Sequence, residues 1–374
     1  MTVTVIRKPY LAVTIAGTPV TGLLGARVQQ GYTLQTAQAE VDVRTLPAAN
    51  CWDEVVITMG GTQATAEVRF TGFFVGHEPQ FYDKSYKLQC KGRLQRAVVY
   101  EKELEEDMSS AGAGHHDETM VATVLYQVAL ADAVIGETVP AEIEGTGRML
   151  GKYSWQRGFG WRVGESGIAF IQRLDAVCLG YRTFDTADGT IVRQQISTIP
   201  VATPDFTFEE GVDIYRASGS DEVLQSRNRV VVEGFPGWDG KTTISHTEDA
   251  ANPYLVDGTW GQFYLAHKVS SAMIEKALTA DTIPVDGADP TDGLSCEEVA
   301  TWLLGEMNRR VVRGTLTTPR DDLIVPGSTI QVTSPTRLGV NQKFWLQQID
   351  TAINRQNQFM QTLAYFGSHA FPVS

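Results

Sequence analysis

The side chains best suited to chemistry in this sequence are few, and none sits in the pattern its chemistry needs. Gly240-Lys241-Thr242 is the nearest approach to a phosphate-binding loop. Such a loop needs an upstream glycine at a fixed offset, so that backbone N–H groups converge on the phosphates. That offset holds Phe235, while Gly234 and Gly237 stand at the wrong positions. Thr242 to His246 alternates like a strand, so a hairpin turn at Asp239-Gly240 is expected instead. His115-His116-Asp117-Glu118 has metal-ligating residue types, but adjacent histidines point apart, and they follow a Gly/Ala/Ser stretch that cannot pre-organise ligands. His77, His246, His267 and His369 are isolated.

A nucleophile elbow of the G-x-S-x-G kind is absent from the sequence. Gly164-Glu165-Ser166-Gly167 reads as a helix start, with Ser166 or Glu165 near the cap. Glycoside hydrolysis needs two carboxylates facing each other across a cleft, and 44 acidic residues single out no such pair. Asp286-Gly287 and Asp292-Gly293 lack the calcium-loop framework around them. Cys51, Cys90, Cys178 and Cys296 form no C-x-x-C pair, and buried free thiols are expected. The expectation is therefore no catalytic residue, no cofactor and no bound metal.

The formal net charge is −13 over 374 residues, with no lysine or arginine cluster beyond pairs such as Arg309-Arg310. Affinity for nucleic acid comes mainly from neutralised phosphates, so tight DNA binding is not expected. The chain could still surround DNA without gripping it. At 43% hydrophobic and 20% charged residues the chain is globular, with room for several compact domains. No apolar run reaches the ~20 residues that cross a bilayer. Met1 to Tyr10 has Arg7 and Lys8 but no apolar stretch after them, so neither a signal peptide nor membrane insertion is expected, and assembly in a cytoplasm is.

The elements that would position any site fall into three textures. Up to about residue 98 the sequence alternates with period two: Leu11, Val13, Ile15; Ala39, Val41, Val43; Val55, Ile57, Met59 up to Gly60-Gly61; Val68, Phe70; Tyr86, Leu88, Cys90. This predicts a half-buried antiparallel sheet, as a small sandwich or barrel. The acidic run Glu101 to Asp107 and the small residues Ser109 to Gly114 mark a linker. Helices are predicted over Thr119–Asp132 and Ser166–Leu179, the second closed by Gly180, and a hairpin turns at Asp188-Gly189. Strand texture returns at Phe206, Phe208 and Val212, then Val230 to Val232. A helix opens at the Ser295/Glu298 capping box and buries Val299, Trp302, Leu303 and Met307. Strands then run from Val311 to the end. A weak internal echo links Phe70–His77 plus Ser85–Cys90 to Phe344–Thr351 plus Phe359–Ala364; a duplicated unit would give it, and so would any two meanders.

Four segments together resemble the baseplate hub family of contractile and long non-contractile phage tails. The first is Tyr10–Gly17 with Val68-Arg69-Phe70-Thr71-Gly72 and Lys87-Leu88-Gln89-Cys90-Lys91-Gly92. The second is Glu165-Ser166-Gly167-Ile168-Ala169-Phe170-Ile171-Gln172-Arg173-Leu174, then Gly180-Tyr181 and the Asp188-Gly189 turn. The third is Asn228–Gly234, and the fourth Pro326–Thr333 with the hairpin from Lys343 to Phe366. Apart from the Asp188-Gly189 turn, Thr186–Pro204 and Asp249–Gly293 match none of these segments.

The resemblance implies a mainly β chain with α+β insertions, built on two similar antiparallel, tail-tube-like β-barrels. By analogy the first barrel spans 1–98 and an α+β middle domain 99–205. The second barrel spans 206–247 and 311–368, split by an inserted domain at 248–310 with its helix at 295–310, and 369–374 is a tail. It further implies a non-enzymatic homotrimer in the virion, whose six barrels join a six-fold tail tube to a three-fold spike or fibre. Its neighbours would be a tail tube or distal tail protein, a central spike or fibre protein and a tape measure protein, with DNA passing through unbound. Phe359, Tyr365 and Phe366, on both faces of the last strand, are the expected subunit-interface residues. An acidic lumen is expected, from about −39 per trimer, three times −13. The competing readings are a tail-associated hydrolase of cell-wall or capsule glycans and a receptor-binding tail protein.

Overall fold

A computed structural model describes residues 9–104, 106–107, 115–131, 141–144, 149–150, 160–178, 180–196, 203–221, 229–236, 242–248, 264–267, 300–305, 312–334 and 339–367. The chain is mainly β with α+β insertions, as the patterning and the resemblance led us to expect. The first unit consists of β1 (Tyr10–Ile15), β2 (Thr18–Pro19), β3 (Leu23–Gly31), β4 (Gln38–Val43), β5 (Glu54–Gly60), β6 (Glu67–Gln80) and β7 (Ser85–Gly92). Alternation decides which face is buried. Val13, Ile15, Ala39, Val41, Val43, Val55, Ile57, Met59, Leu88 and Cys90 share one core, while Glu40, Asp42, Lys87 and Gln89 point out of it.

A helical connection, α1 (Gln95–Val99), leads to β8 (Glu106–Asp107), β9 (His115–His116), α2 (Asp117–Ala131), β10 (Ala141–Ile143), β11 (Met149–Leu150) and β12 (Gly160–Trp161). Then come α3 (Gly167–Val177), β13 (Tyr181–Asp185) and β14 (Ile191–Gln195). Both predicted helices are present. Ser166 caps α3 by accepting from the Ala169 N–H at 3.3 Å, and Gly180 takes φ +88° just past its end. The apolar faces of α2 and α3 meet through Met120, Val124, Val128, Ile168, Ile171 and Leu174, with Trp161 completing this second core.

The remaining strands are β15 (Phe206–Glu209), β16 (Arg216–Asp221), β17 (Arg229–Pro236), β18 (Thr242–Glu248), β19 (Tyr264–His267), β20 (Val312–Thr318), β21 (Thr329–Ser334), β22 (Gly339–Ile353) and β23 (Phe359–Phe366). Here the strand pairing departs from the expected 206–247 boundary. β17 pairs with β18 on one side and β19 on the other as a separate three-stranded sheet. A run of valines predicts a strand but carries no information about which sheet it joins. Residues 300–305 are helical with Ala300 and Leu304 buried and Trp302 and Leu303 half-buried, whereas the capping pair Ser295/Glu298, Val299 and Met307 lie outside the described residues.

Two strand sets repeat one order. In the first unit it is β3-β4-β7-β6-β5-β1, and in the second β16-β20-β23-β22-β21-β15. Each strand occupies the same place both in the sheet and in the run of the chain, with one reversal: β1 lies antiparallel to β5, and β15 parallel to β21. The echo seen in the sequence maps onto the equivalent hairpins β6–β7 and β22–β23. Each carries a bulge at the same place, between Phe74 and Gly76 in one and between Leu346 and Gln348 in the other. The backbone bonds beside the bulges also match. Phe74 donates its N–H to the Asp53 carbonyl at 2.9 Å and accepts from the Trp52 N–H at 2.8 Å. Leu346 donates to the Ser328 carbonyl at 2.9 Å and accepts from the Gly327 N–H at 2.8 Å. Following the register outward, Leu88 corresponds to Leu363, Val41 to Leu316 and Ala26 to Ala217, and all six are buried.

Candidate functional site: the seam between the two β units

The two sets merge into one sheet of 13 strands because the outer half of β22 leaves its own unit and pairs with β3. The register runs from Gln348 opposite Gly31 to Ile353 opposite Ala26. Ile353 and Phe359, at the tip of the β22–β23 hairpin, thereby enter the core of the first unit. Burying two such side chains stabilises by about 1.5–3 kcal/mol each.

Charged groups tie the seam from outside. Arg27 clasps Asp350 on the facing strand, its Nε lying 2.9 and 2.8 Å from the two carboxylate oxygens, and Gln29 donates to the same carboxylate at 3.3 Å. The bond to Asp350 raises the Arg27 pKa above its ordinary value. Arg355, in the turn of the second hairpin, reaches Asp42 at 3.2 Å and Asp83 at 2.5 Å. Being exposed, these pairs fix register more than they add stability.

Deeper in, the loop after β20 docks on the first unit. Buried Arg69 donates to the carbonyl oxygens of Asp321 and Asp322, and its guanidinium lies 5.9 Å from the centre of the Phe359 ring. Burial lowers its pKa despite the nearby carboxylates of Glu67, Asp321 and Asp322. Asp321 accepts from the Gly61 N–H at 3.1 Å and from the Thr65 hydroxyl at 2.7 Å. Gln361 donates to the carbonyls of Arg320 at 2.8 Å and Asp322 at 2.9 Å, which holds that loop in shape.

A second joint connects the middle region to the first unit. The Asp185 carboxylate is fully enclosed and accepts from the Thr36 hydroxyl at 2.9 Å, the Ala37 N–H at 2.9 Å and the Leu94 N–H at 2.8 Å. Burial raises its pKa, against the pull of those donors. A Cβ on Gly92 would fall 2.4 Å from this carboxylate, so the position admits only glycine. Within the middle core, buried Arg193 binds Asp175 at 2.8 Å and Asp117 at 2.6 Å and lies over the Tyr181 ring. Burial alone would lower Arg193, but Asp175 above all raises it instead.

The residues singled out in the sequence are placed as follows. Phe359, Tyr365 and Phe366 are all buried by the chain's own residues. Phe359 packs into the first core, Tyr365 into the second unit with its hydroxyl donating to the Ser218 carbonyl at 3.2 Å, and Phe366 against Ile196 and Trp345. Asp117 serves Arg193, and His115–His116 form a short strand with Met149–Leu150. The turn at Gly240-Lys241 lies outside the described residues, but Pro236 pairs antiparallel with Thr242 across it. Cys90 and Cys178 are buried, the thiol of Cys90 pushed up to about 12 by burial, whereas Cys51 is exposed. Cys51 thus departs from the expected buried state because its strand texture ends before Asn50 and it sits in a turn. Cys296, His369 and the Asp286 and Asp292 sites lie outside the described residues. Among the described residues no group of three or more His, Cys, Asp or Glu is arranged to hold a metal ion. No helix among them is long and apolar enough to cross a membrane. Sequence reasoning missed Asp185, Arg69 and Asp321, whose partners are distant in the chain and carry no local pattern.

No protein-family model matches this sequence, and no curated protein matches it. Solved structures do match. A tail protein from Neisseria meningitidis MC58 superposes with a TM-score of 0.67 at 12% identity, over 96% of this chain and 97% of the other. The 43 kDa tail protein of prophage MuSo2 from Shewanella oneidensis gives 0.61 at 10% identity, over 96% and 98%. An E. coli component of the type VI secretion system, described as structurally similar to the T4 tail proteins gp27 and gp5, gives 0.52 at 9% identity, over 96% of this chain and 77% of that one. Over nearly its whole length, this chain has the fold of phage tail proteins and of a type VI secretion component related to them in structure.

Proposed function

We propose that this chain is a non-enzymatic hub subunit of a phage tail tip or baseplate, three copies of which form a ring of six similar β units. The observation that carries this reading is the repeated strand order, with matched bulges, in two units standing side by side in one sheet. A polypeptide holding two near-equivalent units can present six of them from three copies. Such a ring can mate with a six-fold tail tube on one side and a three-fold spike or fibre on the other. By this reading the units run over about 1–98 and over 206–221 with 311–368, the excursion between them forming an inserted domain. The fold it shares with tail proteins supports a place in the virion, beside a tube or distal tail protein, a central spike or fibre and a tape measure protein.

Passage of DNA fits the charge. At −13 per chain and without basic clusters, the ring repels phosphates and lets the duplex slide. The polar side chains of the seam and of the middle core are engaged with one another, which supports scaffolding over catalysis. Mass photometry of the full chain over rising concentration, followed by electron microscopy, tests the reading. Rings of three copies with six similar lobes are expected. Clear lysis of cell-wall material by the purified chain would overturn it.

A further inference from the structure

The seam joins the two units into one sheet, and it also makes one face of that sheet continuous. Crossing β20, β23, β22, β3, β4 and β7 in register gives the row Thr317, Thr362, Asp350, Gln29, Gln38 and Lys91. A second row on the same face runs Met360, Ala352, Arg27, Glu40 and Gln89. No residue of either row is buried. The row between them, Thr318, Gln361, Thr351, Val28, Ala39 and Cys90, points the other way and is buried throughout. One face of the seam therefore carries the cores, and the other is a polar wall shared by both units.

The charges of this wall cancel. Across Gln348–Ile353, β3, β4 and β7 the charged side chains are Arg27, Lys87 and Lys91 against Asp350, Glu40 and Asp42, three of each sign, whereas the whole chain carries −13. All six lie on the wall face, Asp42 and Lys87 standing opposite each other two residues on from Glu40 and Gln89. Asp350 clasps Arg27, Glu40 accepts from Lys87 at 3.2 Å, and Arg355 reaches Asp42 from the hairpin turn. The side chain of Arg27 is 52% exposed and that of Glu40 47%, so such pairs add little stability. What they do change is the surface seen by a polyanion: each carboxylate occupies a cation that would otherwise neutralise a phosphate.

We propose that this wall lines the channel of the ring and lets duplex DNA slide, with Asp350 and Glu40 shielding its phosphates from Arg27 and Lys87. This rests on the hub reading and deepens it, by naming the surface that the duplex meets. The lining is then neutral rather than acidic. The net charge of the particle repels phosphates from a distance, while the wall itself offers no attraction at contact. A wall of uncovered cations would instead hold the duplex by displacing its counterions. Nor does the wall offer an apolar patch, Met360 being the largest apolar side chain in the two rows.

Removing the shields tests this in the full-length chain. The double variant Glu40→Gln/Asp350→Asn leaves three cations and one anion on these strands, a net +2 per chain. It should retard linear duplex DNA at about 50 mM salt and release it by about 200 mM, where the unaltered chain retards none. Covalently closed circular duplex has no end to thread through a ring and should escape. Adding Arg27→Gln and Lys87→Gln should abolish the retardation, because those two cations do the gripping. Glu101→Gln/Glu103→Gln makes the same change in net charge at exposed residues away from the wall and should retard nothing. Melting temperature and mass photometry on the same samples report folding and ring formation. Trimers that retard no linear duplex, or that retard circles equally, would overturn the wall and leave the hub reading standing. So would equal retardation by the Glu101/Glu103 variant. Monomers at every concentration would sink both.

Discussion

Asp185 shows at the scale of one side chain how this molecule uses buried charge. It is enclosed, has no cationic partner among its hydrogen-bond donors, and joins β13 to the loop before β4 and to Leu94. Because folding raises its pKa, the native chain keeps a proton that the unfolded chain releases. Its contribution to stability is thus complete below the unfolded value, about 3.9, and falls as the pH climbs through the folded one. Asp185→Asn should cost about 1–3 kcal/mol in acid, where its amide sets an N–H against the N–H of Ala37 or Leu94. The gap in melting temperature between wild type and variant should narrow towards neutral pH. A gap that widens with pH would show that the carboxylate is held ionised. Phe359 gives a simpler case. It is wholly buried in the core of the unit to which its strand does not belong, so Phe359→Ala should cost about 3–5 kcal/mol in chemical denaturation.

The elements themselves were largely legible in the sequence, whereas their partners were not. Period-two alternation identified β1, β4, β5 and β7 because each has one wet and one dry face, and capping residues identified α3 because unsatisfied N–H groups need an acceptor. The echo of the two hairpins was visible because each has a long apolar strand facing a core, but its register was not: the bulges set Phe344 in the place of Gly72, two residues from Phe70. The seam was not visible. Arg69 and Asp321 are far apart in the chain, and nothing local to either announces the other. Phe359, Tyr365 and Phe366 looked like interface residues because apolar side chains fell on both faces of one strand. That pattern arises equally when a strand is covered on both sides by its own chain, as this one is. The β20–β23 pairing provides a test at this scale. A Cβ on Gly314 would lie 2.2 Å from the Ser218 carbonyl and 2.5 Å from the Tyr365 hydroxyl. Gly314→Ala should therefore cost about 1–3 kcal/mol by prising β16 from β20. Tyr365→Phe should fail to rescue it in a double-mutant cycle, because the tighter clash is with backbone.

For the whole molecule the governing quantity is net charge. Each copy carries −13, so bringing three together concentrates about −39 in one particle, three times that value. The exposed ion pairs seen here, Arg27 with Asp350 and Arg355 with Asp42 and Asp83, act within one chain and do not offset repulsion between chains. None of these pairs is an attraction between copies that salt could screen. What salt does screen is the mutual repulsion of acidic surfaces, over a distance that shrinks from about 30 Å at 0.01 M to about 10 Å at 0.1 M. The trimer fraction at fixed protein concentration should therefore rise between these ionic strengths and level off above them, as measured by sedimentation velocity. The opposite trend, dissociation as salt rises, would mean that complementary charge holds the copies together. The same acidity, with no lysine or arginine cluster in the sequence from which counterions could be displaced, predicts no retardation of duplex DNA at any of these salt concentrations.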